Sequence, residues 1–325
     1  MMGSEVRLWP ELQPVGRRGP FLRPSTTTPG VYGLDLTSGC GIGCTYCYIR
    51  ALSRYPGEAR LPFDPYTTEA LGAALDELGD AVRTIVLSPS SDPLPPYRPV
   101  RFEAVRVAQR ILESGRELVL MTRGRLPRRL VSLLAEHAAR TRVAMGMMSL
   151  NKAIVRTLEP RSASPRGRLR DLERLSQAGV AIEVRLEPLV PGVTDTRDNL
   201  APLFHALGRA GVSRVVAHYL FMHPAIWPSF AESLQPLGIV DEVRAAFEGG
   251  PQLTVGSVGT VRNVSREARR EGLARIMAWG AEFGLAVSTG AAQNPDLPRI
   301  EPTERPPLST RPARPQNPPP LRVVV

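Results

Sequence analysis

The chain has 325 residues, 42% of them hydrophobic, with a formal net charge of +10 and a pI near 10.3. That is enough apolar material for one large domain or two ordinary ones. No apolar run reaches the roughly 20 residues of a membrane span, so no membrane association is expected. The first twenty residues carry no apolar stretch after their charges, so no secretory signal is expected, and a reducing cytoplasm is the expected compartment. The basic excess consists of 40 arginines and a single lysine, Lys152. A polyanionic partner would fit such a charge, but this skew to one basic residue points to codon bias. Nucleic acid is therefore not the favoured partner.

Residues 1–30 are rich in Pro, Arg and Thr without periodicity and read as a flexible arm. From there short aliphatic runs alternate with amphipathic patterns. Strands are expected at 32–38, 83–90, 117–123, 142–150, 180–190 and 214–221. Helices are expected at about 67–79, 102–114, 127–139, 166–178 and 198–210, and a further helix at 265–284 precedes the run "LAVST". Strands that are apolar on both faces and separated by helices imply a parallel sheet. Six βα units fit either a doubly wound sheet or an incomplete barrel, and both place their chemistry at the C-terminal strand ends. The expected organisation is an arm at 1–30, the α/β unit at 31–225, an α-rich extension packed on it at 226–290, and a tail at 291–325. The tail is too proline-rich to bury a core and is expected to be largely disordered.

All three cysteines of the chain fall in "DLTSGCGIGCTYCYIR", as Cys40, Cys44 and Cys47, directly after the first strand. Gly39, Gly41 and Gly43 alternate with them, and glycine permits both φ > 0 and a close approach of backbone to a ligand. Thiolates suit zinc or iron–sulfur. A structural zinc site takes four ligands, and neither a fourth cysteine nor a paired histidine motif exists. A disulfide would strand one thiol. A [4Fe–4S] cube on three thiolates leaves one iron without a protein ligand, open to a small molecule.

The motif "CGIGCTYC", C-x₃-C-x-aromatic-C with Tyr46 as the aromatic, resembles that of the radical S-adenosylmethionine (SAM) enzymes. The resemblance implies an incomplete (β/α)₆ barrel, a [4Fe–4S] cluster held by Cys40, Cys44 and Cys47, and SAM chelating the open iron. It further implies reductive cleavage of SAM to a 5′-deoxyadenosyl radical that takes hydrogen from a substrate. An external one-electron donor such as a ferredoxin or flavodoxin would be required.

A finer similarity, over about residues 30–225, is to the spore photoproduct lyase-like branch. "SPSSDP" is similar to its SAM-amine loop (Ser91, Asp92), "MTRG" to a segment reaching the SAM carboxylate or ribose (Thr122, Arg123), and "SLN" to a ribose contact (Ser149). "LEPRSASPRGRLRDLERLSQAGV" and "EPLVPGVTD" are similar to further branch segments. The match has departures. Leu94 and Pro95 replace Tyr and Gln in the Asp-Pro loop, with no carboxylate until Glu103, and Pro89 stands near the position of the lyase's hydrogen-donating cysteine.

Each candidate also has a plain structural reading. Ser91 and Asp92 could only start a turn. Ser149 could only end a strand, and Arg161 and Arg168 could be solvated helix-start residues. Glu187 reaches the barrel mouth or pairs with Arg185. His218 and Tyr219 end the sixth strand facing the mouth, where a core histidine satisfied by a neighbour is the favoured reading. "AMGMMS" reads as core. The sequence leaves the substrate open, with photoproduct repair or a non-catalytic iron–sulfur or zinc module as alternatives.

Overall fold

The computed structural model describes residues 9–16, 22–255, 258–289, 294, 296 and 297. The chain opens with β1 (Glu11–Pro14), β2 (Arg23–Pro24), β3 (Val31–Leu34), β4 (Arg60–Phe63) and helix α1 (Thr67–Leu78). An alternating run follows: β5 (Thr84–Leu87), α2 (Arg98–Glu113), β6 (Glu117–Thr122), α3 (Arg128–Glu136), β7 (Thr141–Gly146), α4 (Lys152–Leu158), α5 (Pro165–Gln177), β8 (Ala181–Leu189), α6 (Arg197–Arg209) and β9 (Arg214–Tyr219). It ends with β10 (Phe221–Met222), α7 (Trp227–Leu234), α8 (Val240–Ala245), β11 (Gln252–Val255), β12 (Gly259–Asn263), α9 (Arg266–Glu282) and β13 (Ala286–Thr289).

The main sheet runs β13–β9–β8–β7–β6–β5–β3–β2, parallel throughout except for β2, which pairs antiparallel with β3. The strands are apolar on both faces because helices cover one side and the interior the other; Ile85, Val86 and Leu87 are all buried. The helices follow their apolar stripes, as in α2, which buries Val100, Ala104, Val107, Ala108 and Ile111. Ser164, Thr196 and Ser265 cap α5, α6 and α9 by accepting backbone N–H groups. Met145, Met147 and Met148 lie in the core, as the sequence suggests.

The sheet is strongly curved. Tyr48 follows β3 and Phe221 follows β9, five strands away, which in a flat sheet would be about 24 Å apart. Their ring centroids are 6.1 Å apart. The α/β unit is thus an open barrel whose C-terminal strand ends converge on one mouth. A second sheet, β10–β12–β11, continues from β9 across that mouth and packs Val255, Val258 and Val261 against Tyr48 and Phe221.

Several expectations are corrected. Three strand runs end well short of their expected ends: β3, β5 and β7, the last stopping at Gly146 rather than 150. β3 stops at Leu34 because Asp35 turns to bond the loop after β5, accepting from Ser90 N at 3.0 Å and Ser91 Oγ at 3.1 Å. β5 stops at Leu87 because Ser88 takes φ 59°, a left-handed conformation that breaks the ladder. Within the expected flexible arm, β1 pairs in parallel with β4, whose short run gave no period-2 signal. Within the expected α-rich extension, β11 and β12 form a hairpin and β13 joins the main sheet as a seventh parallel strand. The disorder expected of the tail falls largely outside the described residues. Its Asn294 and Asp296 are described, and they meet the fully buried Arg269 of α9, with Arg269 Nη1 donating to Asn294 Oδ1 at 3.1 Å and Asp296 Oδ1 at 2.9 Å.

Arg269 holds the Asp296 carboxyl below its ordinary range. Asp296→Ala leaves a buried guanidinium short of a counter-ion. We expect a loss of about 1–3 kcal/mol in urea unfolding at pH 7. The loss should shrink as pH falls through the lowered pKa, because the carboxylate contributes only while ionised.

Candidate functional site

The loop from Gly39 to Cys47 leaves β3 and closes one side of the barrel mouth. Its conformation is set by contacts far away in sequence. Thr45 N donates to Leu158 O at 3.0 Å, Arg161 N to Ile42 O at 3.3 Å, and Arg161 Nε to Gly41 O at 2.8 Å. Gly43 has φ 68°, a conformation that favours glycine, and a Cβ there would also displace the Arg161 guanidinium that braces the loop. Arg161, read as a possible solvated residue, is instead a brace of this loop.

Cys40, Cys44 and Cys47 all line a cavity of about 190 Å³ at the strand ends. Burial pushes their thiols up, Cys44 to about 12 against the pull of Arg123. Thiolates persist in such surroundings when bound to a cation, so the place fits a metal cofactor. Among the described residues no three His, Cys, Asp or Glu side chains are placed to hold a single metal ion. Three soft thiol donors around one cavity are the donor type that sulfur-ligated metal cofactors take.

Behind the loop lies a buried charge network. Glu159, 1% exposed, accepts from Tyr46 Oη at 2.8 Å and Arg123 Nε at 2.9 Å through Oε1. Its Oε2 stands 2.8 Å from Arg168 Nη2. Burial opposes the charge of Glu159, but Arg168 and Arg123 outweigh it and hold the carboxyl below its ordinary range. Arg168 is fully buried rather than solvated. Arg123 also donates from Nη2 to Glu187 O at 2.8 Å, so its guanidinium spans the cavity wall from the cysteine loop to β8.

Asp92 lines the cavity, and its carboxylate accepts from Leu94 N, Thr122 Oγ1 and Arg123 N at 2.8, 2.8 and 2.6 Å. It therefore locks the loop after β5 to the end of β6. Desolvation pushes its pKa up, opposed by those bonds. Ser91 also lines the cavity, but its hydroxyl is turned to Asp35. Thr122 lies behind the wall as a partner of Asp92. Ser149 is not brought to the cavity. It is fully buried, donating to Asn199 Oδ1 at 2.6 Å and accepting from Asn151 N at 2.9 Å, so it ties β7 to the start of α6.

The opposite wall carries groups the sequence left between two readings. Glu187 does both things considered for it: it pairs with Arg185 Nε through Oε1 and lines the cavity. Its Oε2 stands 2.7 Å from Nδ1 of His218, which also lines the cavity and lies parallel to Phe221. Tyr219 reaches the wall, but its hydroxyl donates to Asp195 at 2.9 Å and lies against Gly272 of α9. Tyr97 likewise donates to Pro10 O at 2.7 Å. Asp35, Glu159, Tyr48 and Phe221 had no assigned role in the sequence reading. Glu159 stood inside a quoted segment, but nothing linear ties it to Tyr46, 113 residues earlier.

We expect Glu159→Gln to destabilise the fold by about 3–5 kcal/mol in urea unfolding, because the buried Arg168 and the half-buried Arg123 lose their shared anion. Tyr46→Phe should cost only about 1 kcal/mol, the value of one neutral donor. A second expectation concerns acid. Burial opposes the Glu187 charge, but Arg185 and His218 outweigh it and bring the carboxyl down from 4.5 to about 2. Its contribution is thus present above 4.5 and lost as pH falls toward 2. The stability gap between parent and Glu187→Gln, followed by urea unfolding, should narrow across that window.

The family model of the radical SAM superfamily matches residues 34–201, more than half of the chain. Uncharacterized protein Rv2578c of Mycobacterium tuberculosis is 25% identical over 208 residues, 60% of each chain. The match thus spans less than two thirds of that relative's length. Uncharacterized protein ORF301 of Acidianus two-tailed virus is 22% identical over 231 residues, 62% of this chain and 75% of the viral one. Among solved structures, spore photoproduct lyase complexed with dinucleoside spore photoproduct superposes with a TM-score of 0.64 at 14% identity, over 86% of this chain and 81% of the lyase. A mutant of the lyase with bound AdoMet and dinucleoside spore photoproduct superposes with a TM-score of 0.57 at 15% identity, over 78% and 72%. At such identities the likeness is one of fold.

Proposed function

Because the chain belongs to the radical SAM superfamily of enzymes, we propose that it holds a [4Fe–4S] cluster on Cys40, Cys44 and Cys47 and cleaves SAM reductively. The observation that carries this reading is the placement of all three thiols on one cavity at the barrel mouth, beside the cation of Arg123. When bound, cluster and SAM would supply a 5′-deoxyadenosyl radical that takes a hydrogen atom from the substrate.

The chain's own residues bind, orient and shield. Arg123 offers a guanidinium, fixed from both sides by Glu159 and Glu187 O, to the carboxylate of SAM. Asp92 remains an acceptor for the amine end, while Thr122 and the backbone keep it in place. Tyr46 stands beside the cysteines with its hydroxyl tethered to Glu159. Ser91 is a backbone neighbour of the site, and Ser149 a positioning residue of β7. The β11–β12 hairpin shields the mouth from water through Val255 and Val258. No described helix is long and apolar enough to cross a membrane. Reduction would come from a ferredoxin- or flavodoxin-type donor in the cytoplasm.

A photoproduct-repair reading is less favoured. Every thiol of the chain lies in the cysteine loop, Pro89 has no X–H bond to give, and the hydroxyls of Tyr97 and Tyr219 are engaged elsewhere.

After anaerobic reconstitution we expect about four irons per chain and release of 5′-deoxyadenosine from SAM with dithionite. Cys40→Ala, Cys44→Ala and Cys47→Ala should each abolish both. Arg123→Ala should retain iron but weaken SAM binding about ten- to a hundredfold, the worth of a charged hydrogen bond. Tight zinc with no iron uptake, or full activity in any cysteine variant, would overturn the reading.

A further inference from the structure

The cavity side of the cysteine loop is the space for cofactor and substrate, which leaves the loop's outer side for the approach of a reductant. The rate of electron transfer falls steeply with the thickness of protein crossed, and the wall is thin at Gly41. Cys40, Ile42 and Cys44 line the cavity, whereas Gly41 does not. A Cβ on Gly41 would meet Pro95 at 2.8 Å, the Tyr97 ring at 3.0 Å and Leu61 at 3.1 Å, and none of these three lines the cavity. Tyr97 is held by the bond from its hydroxyl to Pro10 O at 2.7 Å, and the Trp9 ring stands edge-on to it with centroids 5.7 Å apart. Trp9 itself is 56% exposed. Trp9, Tyr97 and Gly41 thus form a short packed path from solvent to the backbone between Cys40 and Cys44.

The surface around this path is aromatic and basic. Phe102, 60% exposed, stands one turn along α2 from the exposed Arg98, on the same helix face. Arg60 of β4, also exposed, directly precedes Leu61. Burial raises the Tyr97 phenol against the pull of the Arg161 cation, which places that half-buried guanidinium near the ring. Among the described residues none of Arg60, Arg98 and Arg161 has a carboxylate partner. Glu11 stands opposite Arg60 in the β1–β4 register without forming an ion pair with it. Exposed aromatic rings beside arginines are the residues that carry protein interfaces, and an excess of unpaired positive charge selects an acidic partner.

We propose that the exposed face of Trp9, Phe102, Arg60 and Arg98, lying over Tyr97 and Gly41, is where an acidic one-electron donor protein docks to reduce the cofactor on the cysteines. The inference rests on the cofactor reading for the need of an electron, and it deepens that reading by giving the donor a surface and a charge. One electron leaves the reduced donor and enters the cofactor; no bond is made or broken and no proton moves at this face. Encounters of this kind need only a small interface. Steering by opposite charge raises their rate and makes it sensitive to salt.

The test uses the reconstituted full chain with SAM and two reductants: dithionite, which needs no docking face, and an acidic bacterial flavodoxin reduced beforehand. Release of 5′-deoxyadenosine is followed with each. At sub-saturating flavodoxin we expect Trp9→Ala and Arg98→Glu each to lose about tenfold in the flavodoxin-driven rate while the dithionite-driven rate stays within about twofold of the parent. Arg60→Glu serves in place of Trp9→Ala if the latter does not fold. In the parent, raising salt from about 50 to about 300 mM should slow the flavodoxin-driven rate and leave the dithionite-driven rate in place. Unchanged flavodoxin-driven rates in the variants, a proportional loss of both rates, or no flavodoxin-driven cleavage in a parent that responds to dithionite would overturn the proposal. Variants that keep the flavodoxin-driven rate but lose self-association or nucleic-acid binding would assign the face to another occupant and overturn it too. If dithionite drives no cleavage in the parent, the cofactor reading fails on its own. Titration of the oxidised flavodoxin, read by flavin fluorescence, then still decides the face: salt-sensitive binding weakened about tenfold in the variants supports it, and equal or absent binding overturns it.

Discussion

The Glu159 carboxylate holds the site together. An isolated charge in so buried a place would cost several kcal/mol. Here it is shared by Arg168 below, Arg123 beside and Tyr46 above, so that three segments separate in sequence meet at one pair of oxygens. The bond to Tyr46 seats the cysteine loop on the end of α4, assisted by Thr45 N and Arg161. The bond to Arg123 fixes a cation at the cavity wall. The cysteine loop and the cation beside it therefore lean on one anion, and its neutralisation would loosen them together.

A second constraint is the curvature of the sheet. Chemistry at the C-terminal strand ends needs β3 and β9 to face one another, although four strands separate them. Continuous twist and curl provide this. The ring contact of Tyr48 with Phe221, covered by the β11–β12 hairpin, pins the two ends of the arc. His218, parallel to Phe221, belongs to the same corner.

The cavity is electrostatically divided. On one side are the thiols and the Tyr46–Glu159–Arg123 network; on the other Glu183, Arg185 and Glu187 alternate in charge along β8, with the His218 imidazole of β9 beside Glu187. Each buried charge has an opposite neighbour, so the wall is polar without free charge, apart from the face of Arg123.

The amino-acid order alone determined the parallel α/β architecture, most of its helices, and the gathering of all three cysteines in one glycine-rich loop after the first strand. These are local properties: periodicity, capping and thiol spacing act over a few residues. It also pointed to Asp92 and Arg123, because strand-end loops are where such a fold does chemistry. Only tertiary structure decided what Ser149, Arg161, Arg168, Glu187 and His218 do. A serine at a strand end faces the cavity or the helix behind it according to which partner waits there, and Asn199 waits behind. An arginine at a helix start is solvated or buried according to whether a carboxylate meets it, and for Arg168 that carboxylate is Glu159. The strands β1, β4, β11 and β12 are likewise too short to carry a period of their own, and they exist because a neighbour supplies their hydrogen bonds. Partner choice across the fold is a non-local energy, and no window of sequence contains it.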